Sequence, residues 1–151
     1  MGNEIVDVNN DGLMDIIALD MMPEDNYRRK TMLPANNYNT FQNYEEYKYQ
    51  HQYVRNTLQL NRGFAPGTQK LVFSEVSMLA GVSSTDWSWA PIAADFDLDG
   101  YRDLIITNGF PKDVTDLDFV DYNSNAYAYA SKGFMNDNIP SVKLRNYAFR
   151  N

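Results

Sequence analysis

The chain has 151 residues, of which 44% are apolar and 22% charged, enough to bury a core and too apolar for a disordered chain. A formal charge of −7 argues against a nucleic-acid partner, whose phosphates it would repel, and the absence of cysteine excludes a disulfide framework and thiol chemistry. No apolar run approaches the roughly 18 residues that a membrane-spanning helix needs.

Residues 3–20 read as the end of a strand (Ile5-Val6), an acidic loop, and a second strand over Ile16–Leu19. The loop is Asp7-Val-Asn9-Asn-Asp11-Gly12-Leu13-Met-Asp15. Oxygen-bearing side chains stand at its positions 1, 3, 5 and 9, with glycine at position 6. That spacing suits a hard cation. Ca²⁺ takes about six to eight oxygens at about 2.3–2.6 Å, which such side chains and a backbone carbonyl at position 7 can supply. Gly12 provides the tight turn, where a positive φ meets no Cβ.

Residues 21–54 are different in kind. Glu24-Asp25 can open a helix, 34–37 form a loop, and Phe41, Tyr44 and Tyr47 recur at helical spacing on one face. These aromatics, with Tyr53 and the single histidine, His51, are expected to pack onto the body; an exposed patch for sugars or a partner is the alternative. Residues 55–61 alternate apolar and polar as a half-buried strand, 62–68 form a turn, and 71–76 return as a strand.

The second acidic loop follows the strand Ser88–Ala94. It is Asp95-Phe-Asp97-Leu-Asp99-Gly100-Tyr101-Arg-Asp103, leading into the strand Leu104–Thr107. It repeats the first loop, with Asp97 in the place of Asn9, so the first site carries one charge fewer and is expected to bind a cation more weakly. Without a cation, carboxylates this close repel one another. An EF-hand would need a bidentate Glu at position 12, where Ala18 and Ile106 stand, and helices where strands are read. Trp87 and Trp89 flank Ser88 at the start of the strand before this loop, and only one of them is expected to be deeply buried.

Residues 109–113 form a turn. A helix begins near Asp116–Tyr122, continues irregularly through Tyr127 and Tyr129, and breaks at 136–140. The chain closes on Arg145-Asn146-Tyr147-Ala148-Phe149-Arg150-Asn151, a second version of Arg55-Asn56-Thr57-Leu58-Gln59-Leu60-Asn61. Loops and strands thus share a period of about 90 residues. On this reading the chain opens part-way through one unit and stops on the first strand of a third, so both ends are expected to be cut.

The two Asp-x-Asp/Asn-x-Asp-Gly-x-x-Asp loops and the apolar strand after each resemble the FG-GAP/VCBS repeat family, which includes the β-propeller of integrin α-subunits. Phe73-Ser-Glu-Val with Leu79-Ala-Gly-Val, Trp87-Ser-Trp-Ala-Pro and Thr107-Asn-Gly-Phe add to the likeness. Residues 55–119 are especially similar to repeats of exported, surface-associated proteins of Bacteroidetes-type bacteria. The resemblance implies an all-β fold, a partial β-propeller of roughly one and a half antiparallel four-stranded blades with irregular or helical insertions. Residues 3–20 would end one blade, 55–110 form the next and 145–151 begin a third, with insertions at 21–54 and 111–144. The implied Ca²⁺ ligands are Asp7, Asn9, Asp11, Asp15 and the Leu13 carbonyl in one site. In the other they are Asp95, Asp97, Asp99, Asp103 and the Tyr101 carbonyl.

The implied function is a calcium-stabilised binding or adhesion module of an extracellular, cell-surface or periplasmic protein. Its partners would be a protein or glycan ligand and neighbouring propeller blades of the parent chain. A second reading is an enzyme, part of a polysaccharide lyase or hydrolase on a propeller scaffold, whose chemistry would need paired carboxylates. Glu45-Glu46, Asp113, Asp116, Asp118 and Asp121 show no catalytic pattern. A third reading is purely architectural, a spacer that stiffens a larger surface protein.

Overall fold

The computed structural model describes residues 1–32, 37–110, 112–126 and 132–151. The chain divides into two compact units, one made of Met1–Pro23, Arg55–Gly109 and Leu144–Asn151, the other of Glu24–Val54 and Phe110–Lys143. Among the described residues every strand lies in the first unit and every helix in the second. No described helix is long and apolar enough to cross a membrane.

The first unit holds two antiparallel sheets. One has four strands in sequential order: β1 (Asn3–Val6), β2 (Asp15–Ala18), β3 (Thr57–Phe64) and β4 (Leu71–Glu75). The other has three: β5 (Ser88–Ala94), β6 (Asp103–Asn108) and β7 (Tyr147–Phe149). Each acidic loop is therefore a hairpin connection, between β1 and β2 in one sheet and β5 and β6 in the other. Alternation along β2 buries Asp15 and Ile17 and leaves Ile16 and Ala18 half-buried, as a strand with one face on a core requires. Ile17, Leu58, Leu104 and Ile106 join Val6, Leu19 and Val82 in one apolar cluster, with Val8, Leu60, Tyr147 and Phe149 packed on it.

The pairing corrects the expected segmentation. Thr57–Phe64 pairs with β2, with Ile17 opposite Leu58, and Tyr147–Phe149 pairs with β6, with Leu104 opposite Phe149. A unit spanning 55–110 and a new one beginning at 145 would cut both sheets. The reason is that each third strand returns to its sheet only after a long excursion of the chain, and strand partnership across such a gap has no local signal. β3 also runs three residues into the expected turn, through a bulge between Asn61 and Phe64 that Gly63 accommodates at φ 73°. Trp87 lies just before β5 and is half-buried with its ring nitrogen shielded from solvent, while Trp89 on the strand is 47% exposed. Trp89 instead donates its ring N–H to the Gly109 carbonyl at 2.6 Å.

In the second unit, helix α1 (Asn26–Thr31) is capped by Asp25, whose carboxylate accepts the Arg28 N–H at 2.8 Å. Asn37 caps α2 (Tyr38–Tyr47) in the same way through the Thr40 N–H, and Lys48 ends it in a left-handed conformation at φ 57°. Helices α3 (Leu117–Ala126) and α4 (Lys132–Asp137) follow. The expected break at 136–140 therefore starts later, after Asp137. Tyr127, Tyr129, Pro111 and the expected loop at 34–36 lie outside the described residues. Arg28 pairs with the buried Asp113. His51 stacks on Phe41 at 4.9 Å, meets Tyr44 edge-on and Tyr53 face-on, and contacts Glu45 at 2.8 Å. Much of this aromatic group remains open to solvent, with Phe41 45% and Tyr53 61% exposed, against the expectation that it is packed away. A ten-residue helix in a small unit has too little apolar surface nearby to cover so many rings.

Candidate metal centre

The two acidic loops repeat the same bonds at positions 1 and 5. In the first, the Asp7 carboxylate accepts the Asp11 N–H at 3.1 Å on one oxygen and the Gly12 N–H at 2.9 Å on the other. In the second, Asp95 accepts the Asp99 N–H at 3.1 Å and the Gly100 N–H at 2.9 Å. The fifth loop residues, Asp11 and Asp99, each accept the N–H two residues on, from Leu13 at 2.8 Å and from Tyr101 at 2.9 Å. Backbone torsions follow suit. Asn10 and Leu98 are left-handed at φ 59° and 61°, and Gly12 and Gly100 at φ 84° and 93°. A leucine there is a costly choice, because its Cβ crowds the following carbonyl. The loop shape is therefore imposed by the carboxylate of position 1 gathering backbone N–H groups.

Position 9 does different work. Asp15 is fully buried and its two oxygens accept the Val8 N–H at 2.9 Å and the Asn61 N–H at 2.8 Å. Asp103 accepts the Phe96 N–H at 3.2 Å and the Asn151 N–H at 3.1 Å. Each ties the start of its loop to the third-strand segment of its sheet, at Asn61 within β3 and at Asn151 just past β7. Asp95, Asp97 and Asp99 each place an oxygen within 4.8 Å of the others, while Asp103 is not part of that group. In the first loop Asp7, Asn9 and Asp11 take the equivalent places, with the Asn9 amide donating to Asp11 at 3.0 Å. Leu13 and Tyr101, expected to offer carbonyls, are seen to donate their N–H groups to the fifth-position Asp.

The oxygen group fits a divalent ion. Two ligands at about 2.4 Å on opposite sides of Ca²⁺ are about 4.8 Å apart, so oxygens within that span can share one centre. The guanidinium of Arg150 lies against the same carboxylates, 2.8 Å from Asp97 and 3.3 Å from Asp99. The Tyr101 N–H does most to hold the Asp99 carboxyl below the usual carboxylate range, and Arg150 adds to it.

Several residues that build the site or tie the strands beside it were read in the sequence only as strand. Asn61 and Asn151 serve Asp15 and Asp103, and Asn56 and Asn146 accept the N–H of Asp20 and of Asn108, each at 2.8 Å. The signal was present. Arg55-Asn56-x₄-Asn61 and Arg145-Asn146-x₄-Asn151 are alike only at the arginine and the two asparagines, and both asparagines bond across to the neighbouring strand or loop. No protein-family model matches the chain, and no curated protein or solved structure shows significant similarity to it.

Proposed function

We propose that the chain is a calcium-stabilised segment of an FG-GAP/VCBS-type β-propeller, part of an exported or cell-surface protein, and that it acts as a binding module for a protein or glycan. The reading is carried by one observation: two loops of the same spacing adopt the same hydrogen-bonded turn at the same place in two antiparallel sheets. A propeller is a ring of such sheets, and radial repetition protects their edges. Asp95, Asp97 and Asp99 would hold the ion in one loop and Asp7, Asn9 and Asp11 in the other. When bound, Ca²⁺ supplies charge neutralisation and a cross-tie between two strands. Position 9 contributes by fixing the loop against the third strand.

Thermal melts of the whole chain in Ca²⁺ and in chelator test this. Extracellular modules commonly bind at about 10⁻⁴–10⁻³ M. At about 10 mM Ca²⁺ such affinities stabilise by about 1.4–2.7 kcal/mol per site, a rise of several degrees. Asp97→Ala with Asp99→Ala should remove most of the rise contributed by the second loop. Superimposable melts in both buffers would sink the calcium assignment.

A further inference from the structure

We propose that Arg150 is a built-in counter-cation of the second acidic loop, holding Asp97 and Asp99 together until a divalent ion displaces it. This rests on the calcium reading above and deepens it, because it makes the two loops unequal in a way their sequences conceal. In the first loop, positions 3 and 5 are Asn9 and Asp11, and the amide of one bonds the carboxylate of the other at 3.0 Å. The second loop has two carboxylates there, Asp97 and Asp99, which cannot bond each other when both are ionised. Arg150 bridges them instead, at 2.8 and 3.3 Å.

The repeat places the bridge. Asn151 answers to Asn61, so Arg150 stands where Leu60 stands in the other sheet. Leu60 packs on the core, and Arg150 is exposed beside the loop. Its backbone is pinned on both sides. Phe149 is in register with Leu104, while Asn151 donates to Asp103 at 3.1 Å and through its side chain to the Val8 carbonyl at 2.7 Å. The guanidinium therefore reaches the loop from a fixed root. Substituting Asp for Asn at position 3 adds a charge, and substituting Arg for Leu on the third strand offsets it. A cation entering the second loop must break two exposed ion pairs, each contributing at most a factor of about five.

Calorimetric titration of the whole chain with Ca²⁺ tests this, comparing the native protein, Arg150→Gln and Arg150→Lys. Arg150→Gln should tighten one of the two sites by about threefold to tenfold and leave the other unchanged, with Arg150→Lys close to the native protein. In chelator, hydrogen exchange at residues 96–100 should accelerate in Arg150→Gln, because the bridge is gone. Native and Arg150→Gln isotherms with the same two constants would overturn the counter-cation role alone. If neither protein takes up Ca²⁺, the calcium reading fails and the proposal goes with it. Circular dichroism of Arg150→Gln confirms folding; the exposed position makes the substitution structurally mild.

Discussion

The loop between β1 and β2 and the loop between β5 and β6 share a backbone but not a charge. Both are shaped by an aspartate at position 1 that gathers two N–H groups, by a left-handed fourth residue and by a glycine at position 6. They part at position 3, Asn9 against Asp97, and at the residue opposite on the third strand, Leu60 against Arg150. The shape of such a loop thus belongs to positions 1, 5, 6 and 9. Its charge is set by position 3 together with a residue far away in the chain. They also differ in depth: Asp15 is fully buried, whereas Asp103 retains 8% of its exposure and makes longer bonds.

That difference in depth predicts the largest effect. Asp15→Ala leaves the buried Asn61 N–H and the half-buried Val8 N–H without their acceptor, at about 1–3 kcal/mol each. We expect a loss of about 2–5 kcal/mol by urea denaturation. Asp103→Ala should cost less, about 1–3 kcal/mol, because Phe96 and Asn151 can turn to water. Equal losses would mean that burial does not separate the two staples.

Where the loops are alike, the effects should be equal. Gly12 and Gly100 sit at φ 84° and 93° with nothing within 4 Å of an added Cβ, so steric room is not at issue and only backbone strain remains. Gly12→Ala and Gly100→Ala should each destabilise by about 1 kcal/mol. A clear difference between the two would show that the loops are not the same turn.

The loops, the strand Ser88–Ala94 and the helical spacing of Phe41, Tyr44 and Tyr47 were legible because each is local. An Asp-Gly spacing, an apolar run or a three-residue period lies within a dozen positions. The pairing of Leu58 with Ile17, the bond from Asn61 to Asp15 and the reach of Arg150 to Asp97 were not. Each joins residues more than forty positions apart. The asparagines could have been found by aligning the two versions of the third strand and asking why only Arg, Asn and Asn are retained. Arg150 could not, since the repeat itself puts leucine in its place. Only the coordinates show that a charge added in a loop is answered on another strand.

Acid should separate the two sheets by the smallest margin, and salt should tell why. Glu75 in the first sheet and Asp99 in the second both have depressed carboxyl pKa values, for different reasons. Burial works against the Glu75 anion, but hydrogen bonds from Ser77 and Leu58 and the charge of Arg55, 3.2 Å away, outweigh it. Asp99 is held down mainly by the Tyr101 N–H, with Arg150 adding to it in open solvent. A carboxylate with a depressed folded pKa contributes stability above its unfolded pKa, about 4, and loses it as the pH falls through the folded value. Both contributions should therefore be intact at neutral pH and disappear below about pH 4. Glu75→Gln and Asp99→Asn should each flatten that acid limb in stability measured against pH. Raising the salt to about 1 M shortens the screening length to about 3 Å, which weakens exposed pairs more than sheltered ones. High salt should thus reduce the effect of Asp99→Asn and leave most of that of Glu75→Gln, whose partner Arg55 is only 25% exposed. If salt reduced both equally, the Arg55–Glu75 pair would have to be as open to solvent as the Arg150 bridge, and the contrast between a sheltered sheet and an exposed clasp would fail.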